Sequence, residues 1–409
     1  MLLGSIIDGV APGRFDDGFS RRSFGDNDHM SSSRDPGLQT LSIHAGRAVD
    51  PSTGAVTPPL HTSTTFERDP NGDFSREYAY IRAATPNRDS LETCITALEG
   101  GDETISFSSG MAASLAVFQS LAPKDHVLLH RDVYYGVREL MEGFFAKWGL
   151  THTLVDMRDI DQVRKASRPE TKLFWVETPT NPLIEVVDIR AVAAVAKAAG
   201  ALLVCENTFA TPVLQRPFEL GADIVVHSLT KYLSGHSDAM GGSVTLKNQP
   251  DLTAQIRDFQ HTGGAILSPF DCWLILRGVQ TLVPRVRLHC ENARRVADFL
   301  STHKNVSKVR YPGLANDPGH AVAKAQMKDF GGMLAFEVEG GRAEAFAVAA
   351  ALKVIVRATS LGGTHSLIEH RASIEGKTTR APESLLRLSV GLEDADDLIH
   401  DLDQALAAI

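Results

Sequence analysis

The chain has 409 residues, 43% hydrophobic and 22% charged, which is room for one large domain and a smaller one, each with its own core. Its 50 acidic residues against 41 basic ones leave a formal charge of −9, which excludes a general attraction to nucleic acid or anionic membrane. No apolar run approaches the roughly 20 residues that span a bilayer. Residues 1–38 are rich in Gly, Ser, Asp and Arg without periodicity and are expected to be disordered. They lack the apolar segment of a secretory signal, and their arginines are offset by aspartates, against a transit peptide. Met30 is a second candidate start.

Residues 39–80 read as an extended arm, because "HAGRAVDPSTGAVTPPLHTSTTF" is rich in Pro, Thr and Gly. From about 88 to 283, short apolar strands alternate with helical stretches. The predicted strands are "ETISFSS", "HVLLHR", "HTLVD", "KLFWVET", "ALLVCEN", "DIVVHS" and "GSVTLK". Between them, "DIRAVAAVAKAAG" repeats its alanines and valines at helical spacing and closes on a glycine. This alternation predicts an α/β domain over 81–283, with a mostly parallel sheet covered on both faces. After about 284 strands and helices come in mixed order, which predicts a smaller α+β domain over 284–409. Cys94, Cys205, Cys272 and Cys290 are widely spaced with no CxxC. They read as reduced core thiols of an intracellular protein, and no metal site is expected.

Ligands of such sheets sit beyond the carboxyl ends of the strands. Lys231 falls there, in "VVHSLTKYLSGH"; taken alone, such a lysine is a surface residue. Four features converge on the same edge. At Ser108-Ser109-Gly110-Met111 a strand passes into a helix, whose N–H groups can hold an anion. Glu206 ends the strand "LLVCEN", 25 residues before Lys231, and serves either as a structural ion-pair partner or as an acid facing a ligand. Ser228 and Thr230 offer hydroxyls beside the lysine. Tyr134 follows another strand, where its ring either packs or covers a flat ligand. Lysine, anion cradle, acid and aromatic face together suit pyridoxal 5′-phosphate.

On these residues the chain resembles the Cys/Met-metabolism family of PLP enzymes, which includes cystathionine γ-synthases, cystathionine γ-lyases and methionine γ-lyases. The likeness runs from "LSIHAGR" at 41 to the C-terminus, through "VVHSLTKYLSGHSDAMGG", "ETPTNPLIEVVDI", "LRGVQTL", "YPGL", "GGMLAFE", "SLGG" and "LLRLSVGLED". The resemblance implies PLP fold type I, aspartate-aminotransferase-like, with 81–283 as the PLP-binding domain. It implies a cytoplasmic homotetramer built from two catalytic dimers. Lys231 would be the Schiff-base lysine and would shuttle protons during catalysis. Gly110, Met111, Ser228 and Thr230 would hold the phosphate. Tyr134 would stack on the ring, Asn181 would face its phenolic oxygen and Glu206 its nitrogen. Tyr80 and Arg82 of the arm would reach the neighbouring subunit's phosphate. Ser360 and Arg387 would bind the substrate α-carboxylate.

The chain also departs from the family pattern. Glu206 stands where Asp is usual, and "TPN" at 85–87 replaces "NPT". Thr359 stands where a Glu recognises the distal group of cystathionine. Gly136 stands where methionine γ-lyases carry Cys. "HRASIEG" at 370–376 replaces "HPASMTH" and puts Arg371 and Glu375 near the expected substrate entrance or on a solvated loop. The expected function is γ-replacement of the cystathionine γ-synthase type. The alternative is γ-elimination from cystathionine, methionine or a non-sulfur substrate such as canavanine. An aminotransferase would lack the "SLGG" and "LRLSVGLED" set, and only the Glu206 change favours a catalytically silent PLP-binding relative.

Overall fold

The computed structural model describes residues 35–376 and 379–409, so Met30 and most of the 1–38 extension expected to be disordered lie outside the described residues. Seven strands form the larger sheet: β1 (Glu103–Phe107), β2 (His126–His130), β3 (Thr151–Val155), β4 (Thr171–Glu177), β5 (Leu202–Glu206), β6 (Ile224–Ser228) and β7 (Gly242–Leu246). Their order is β1-β7-β6-β5-β4-β2-β3, and only β7 runs against the rest. All seven lie where the apolar runs predicted them.

The reason is burial on both faces. Val127 and Leu129 of β2 pack with Val117 and Phe118 on one side. Leu128, between them, packs with Phe174, Val192 and Val195 on the other. Alternate residues of a strand point to opposite faces, so a strand apolar at every position needs cover on both. Phe174 is fully buried, and cutting it to Ala would cost about 3–5 kcal/mol.

The second sheet holds β8 (Val306–Arg310), β9 (Met333–Val338), β10 (Val356–Arg357), β11 (Leu367–His370) and β12 (Leu385–Ser389), in the order β10-β11-β12-β9-β8. Leu334, Phe336, Leu386 and Leu388 pack there against Val296 and Leu300 of helix Leu282–Thr302 and Leu398 and Leu402 of the last helix. Each sheet falls on one side of the proposed division at 283/284, which cuts the first turn of helix Leu282–Thr302. A further apolar cluster joins Leu229, Tyr232 and Leu233, around Lys231, to Met333, Ala335 and Leu385 of the second sheet.

The arm is not extended throughout. It opens on a helix, Leu38–His44, because Leu38 and Leu41, three apart, bury one face against the core. Beyond it, residues 51–65 are almost all exposed. All four cysteines are buried free thiols. Among the described residues no helix is long and apolar enough to cross a membrane.

Candidate active site

Three strand ends meet at the carboxyl edge of the larger sheet: Glu177 of β4, Glu206 of β5 and Ser228 of β6. Glu177 and Glu206 stand side by side in register. Burial raises the pKa of both, and for Glu177 the neighbouring Glu206 charge adds to it. Thr208 opposes the shift of Glu206 by donating its N–H at 3.1 Å and its hydroxyl. The same Thr208 hydroxyl accepts the N–H of Ser228 at 2.8 Å, which ties β5 to β6 at the site.

Helix Gly110–Gln119 starts against Ser228. Ser109 caps it by accepting the N–H of Ala112 at 3.1 Å. A Cβ on Gly110 would lie 2.9 Å from Ser228 Cβ and 3.2 Å from its Oγ. Only glycine lets the helix start approach this closely. First-turn N–H groups have no partner within a helix and attract anions. Thr230 behaves differently: its hydroxyl is engaged by the backbone of Gly241, accepting at 3.1 Å and lying 3.2 Å from the carbonyl.

Lys231 Nζ donates to Ser360 Oγ at 2.7 Å. Burial, and after it the charge of Arg387, bring the Lys231 pKa down to about 8, while Glu369 and Glu206 pull it up. Ser360 has φ 90°, an unfavourable conformation for a non-glycine residue, held by contacts on both sides. Its hydroxyl takes the lysine, and its carbonyl accepts from Arg387 at 3.1 Å. Arg387 also donates to Asn181 Oδ1 at 2.8 Å and to Glu369 at 2.8 Å. Its own pKa falls to about 10, through burial first and Arg371 second. Asn181 lies on the loop after β4, where Thr178–Pro179 and Asn181–Pro182 are cis.

Tyr134 donates its N–H to Glu177 at 2.8 Å and stands edge-on to Tyr135, ring centres 4.8 Å apart. A Cβ on Gly136 would lie 2.8 Å from the Tyr134 ring and 3.1 Å from Met111 sulfur. Gly136 therefore lets ring and sulfur close up.

The structure thus gathers Gly110, Met111, Tyr134, Asn181, Glu206, Ser228, Lys231, Ser360 and Arg387 at one edge. Thr359, beside Ser360, is exposed. Tyr80 and Arg82 stand apart. Both are exposed, and Arg82 lies 5.7 Å from the Tyr80 ring and reaches the His261 carbonyl at 3.5 Å. Among the described residues neither hydrogen-bonds to the Lys231 cluster.

The solvated-loop reading of Arg371 and Glu375 is corrected: they are 2% and 7% exposed. Their side chains bind each other at 3.1 Å. Arg371 also binds Glu369 at 2.7 Å, and a charge inside the protein has to be matched this way. Sequence reasoning missed Glu177 and Glu369. The signal was present, since both are acids inside apolar runs, "LFWVET" and "SLIEHR", as Glu206 is.

The set fits pyridoxal 5′-phosphate. A phosphate needs a helix start with no side chain in the way, and Gly110 supplies it. Comparison with known proteins agrees. The family model for Cys/Met metabolism PLP-dependent enzymes matches residues 39–407. A cystathionine gamma-synthase of Mycobacterium tuberculosis (strain ATCC 25618 / H37Rv) is 45% identical over 376 residues, 90% of this chain and 97% of that protein. A cystathionine beta-lyase of Lactococcus lactis subsp. cremoris (strain MG1363) is 44% identical over 377 residues, 90% and 98% of the two chains. The crystal structure of metB from Corynebacterium glutamicum superposes with a TM-score of 0.89 at 42% identity, covering 91% of this chain and 98% of that one.

Proposed function

The chain belongs to the Cys/Met metabolism PLP-dependent enzyme family, and from that premise we propose that it replaces the γ-substituent of a homoserine-derived amino acid by a thiol. When bound, pyridoxal 5′-phosphate supplies the electron sink for negative charge at the substrate's α- and β-carbons. The observation that carries the proposal is the line Lys231–Ser360–Arg387, with contacts of 2.7 and 3.1 Å. It supports reading Lys231 as the proton-moving amine and buried Arg387 as the guanidinium that takes an α-carboxylate. Arg387 and Ser360 orient the substrate. Lys231, with its pKa near 8, takes a proton at Cα and returns it toward the leaving group. Tyr134 covers the ring face and keeps water out. Ser228, Gly110 and Met111 hold the phosphate, with Thr230 bracing the turn. Glu206 holds the proton on the pyridine nitrogen.

One line supports replacement at the γ-carbon, the gamma-synthase relative at 45% identity; the family match over residues 39–407 is shared by synthases and lyases. Elimination is the second reading; the exposed Thr359, which offers no charge to the distal amino group of cystathionine, favours a different γ-substituted substrate such as canavanine. We further propose that Tyr80 and Arg82 serve the phosphate of a second copy, in a homotetramer made of two such dimers.

A substrate panel tests the reaction. O-acetyl-, O-succinyl- and O-phosphohomoserine are supplied with and without cysteine, followed by cystathionine, methionine and canavanine, with products weighed by mass spectrometry. A thioether formed only when ester and cysteine are both present is the expected result. A 2-oxo acid released at the same rate without thiol overturns replacement in favour of elimination.

A further inference from the structure

Behind the carboxylate-binding arginine lies a chain of buried charges that the proposed reaction does not use directly. Glu369 on β11 stands opposite Arg387 on β12. A single oxygen of Glu369 accepts from Arg387 at 2.8 Å and from Arg371 at 2.7 Å. The other side of the Arg371 fork donates to Glu375 at 3.1 Å. Glu375 also accepts from Arg138 at 3.4 Å and from the Thr379 hydroxyl at 3.0 Å. Arg138 lies on helix Tyr135–Glu139, which Tyr134 immediately precedes. Arg371 itself sits 5.6 Å from the Tyr135 ring, which stands against Tyr134. The cluster therefore runs from the carboxylate anchor to the residues of the ring face. Arg371 and Glu375 are the two charges by which "HRASIEG" departs from the family pattern.

We propose that Arg371 is a positioning residue for carboxylate recognition: by sharing the Glu369 oxygen, it keeps Glu369 from neutralising Arg387. The proposal rests on the reading of Arg387 as the α-carboxylate anchor. A buried arginine with a carboxylate of its own has little attraction left for a second anion. Dividing the Glu369 charge between two guanidiniums leaves Arg387 with positive potential toward the substrate. Glu375 holds Arg371 from behind and limits how much of Glu369 it takes. Only a rigid fork reaches two carboxylates in two directions, which a lysine ammonium does less well.

The sign of the effect makes this testable. Arg371→Met returns Glu369 to Arg387 and weakens carboxylate binding. Glu375→Gln releases Arg371 toward Glu369 and tightens it. The holoenzyme and its variants are titrated with butyrate, a carboxylate without a reactive amine, by calorimetry, and KM and kcat are measured on the substrate found by the panel. The expected result for Arg371→Met is a rise of about tenfold in both the butyrate Kd and KM, the size of coupling found within one ion-pair network. Its kcat changes by less than about twofold, because only ground-state binding is altered. Arg371→Lys recovers part of the loss, and Glu375→Gln lowers the Kd. If Arg371→Met does not fold, Glu375→Gln carries the test. An unchanged Kd in Arg371→Met, or a raised Kd in Glu375→Gln, overturns the proposal. Arg387→Met separates the two readings. If it still binds butyrate, the carboxylate-anchor assignment fails. If it loses butyrate while Arg371→Met keeps it, only the role of Arg371 fails.

Discussion

The Lys231 cluster and the arm at 39–80 with its continuation to Arg82 both carry residues expected at the site, and they are built in opposite ways. Around Lys231 the functional groups are engaged: the amine by Ser360, the guanidinium of Arg387 by Asn181 and Glu369, the carboxylate of Glu177 by Tyr134. Each is held by elements that pack for their own apolar reasons. The arm has little core beyond Ala45 and the partly buried Leu38 and Leu41, and Tyr80 stands exposed. A buried polar group must find its partners within the chain. An exposed tyrosine and arginine carry no such requirement, so their function depends on what comes to them. One chain therefore displays the geometry of the first region and only the potential of the second.

The largest expected effect breaks the first region at its centre. Lys231→Ala removes the amine proposed to bond the cofactor and move the proton. Turnover falls below detection, and the visible absorbance of the lysine-bound cofactor disappears from the purified protein. The fold should survive, because Lys231 is only partly buried and its side-chain partner Ser360 has a second hold in Arg387. Turnover retained by Lys231→Ala would sink the mechanism.

How far each region was legible in the sequence follows from the same difference. The strands β1 to β7 were readable because their apolar runs have no other stable use than a sheet covered on both faces. The site edge was readable because Gly110, Glu206, Ser228 and Lys231 each interrupt such a run at its end. β11 was not read: four residues containing Glu369 and His370 do not look like a strand, and only the pairing with β12 makes them one. Arg371 and Glu375 were read as entrance charges or surface charges. Their burial depends on Glu369 and Arg138, which are far away or in an unread element. Opposite charges that neutralise each other inside the protein look the same in a sequence as charges facing water. Helix Leu38–His44 was missed in a segment judged by its prolines, which begin only at Pro51.

The next effect in size tests whether the arm belongs to a site at all. Arg82→Ala should weaken retention of the cofactor about tenfold or more, the worth of a charged hydrogen bond to phosphate. A mixing experiment decides where that phosphate lies. Arg82→Ala chains and Lys231→Ala chains are each inactive or weakened alone. If the site is shared, mixed oligomers contain one site with both residues intact, and activity rises on mixing. No gain on mixing, with oligomers shown to exchange chains, would place the phosphate contact within one chain or remove it.

The smallest effect is confined to the buried region and concerns stability without cofactor. Lys231 has a pKa of about 8 in the folded chain against an ordinary 10.5, with burial the first cause and Arg387 the second. Between those two values the unfolded chain holds more protons on this side chain than the folded one. Stability must then rise with pH across that window, and below about pH 8 the folded state carries the full cost of a charged, partly buried amine. Urea midpoints of the apo-protein measured from pH 7.5 to 10 should climb relative to Lys231→Met, which has no proton to lose there. Other groups titrate in the same range, so the difference between the two proteins is the quantity to follow. The same measurement on Arg82→Ala should track the unaltered protein, because that substitution leaves Lys231 and its partners Ser360 and Arg387 in place. A flat difference for Lys231→Met would mean that the amine feels neither burial nor Arg387, and the buried cluster would lose the feature that sets it apart from the arm.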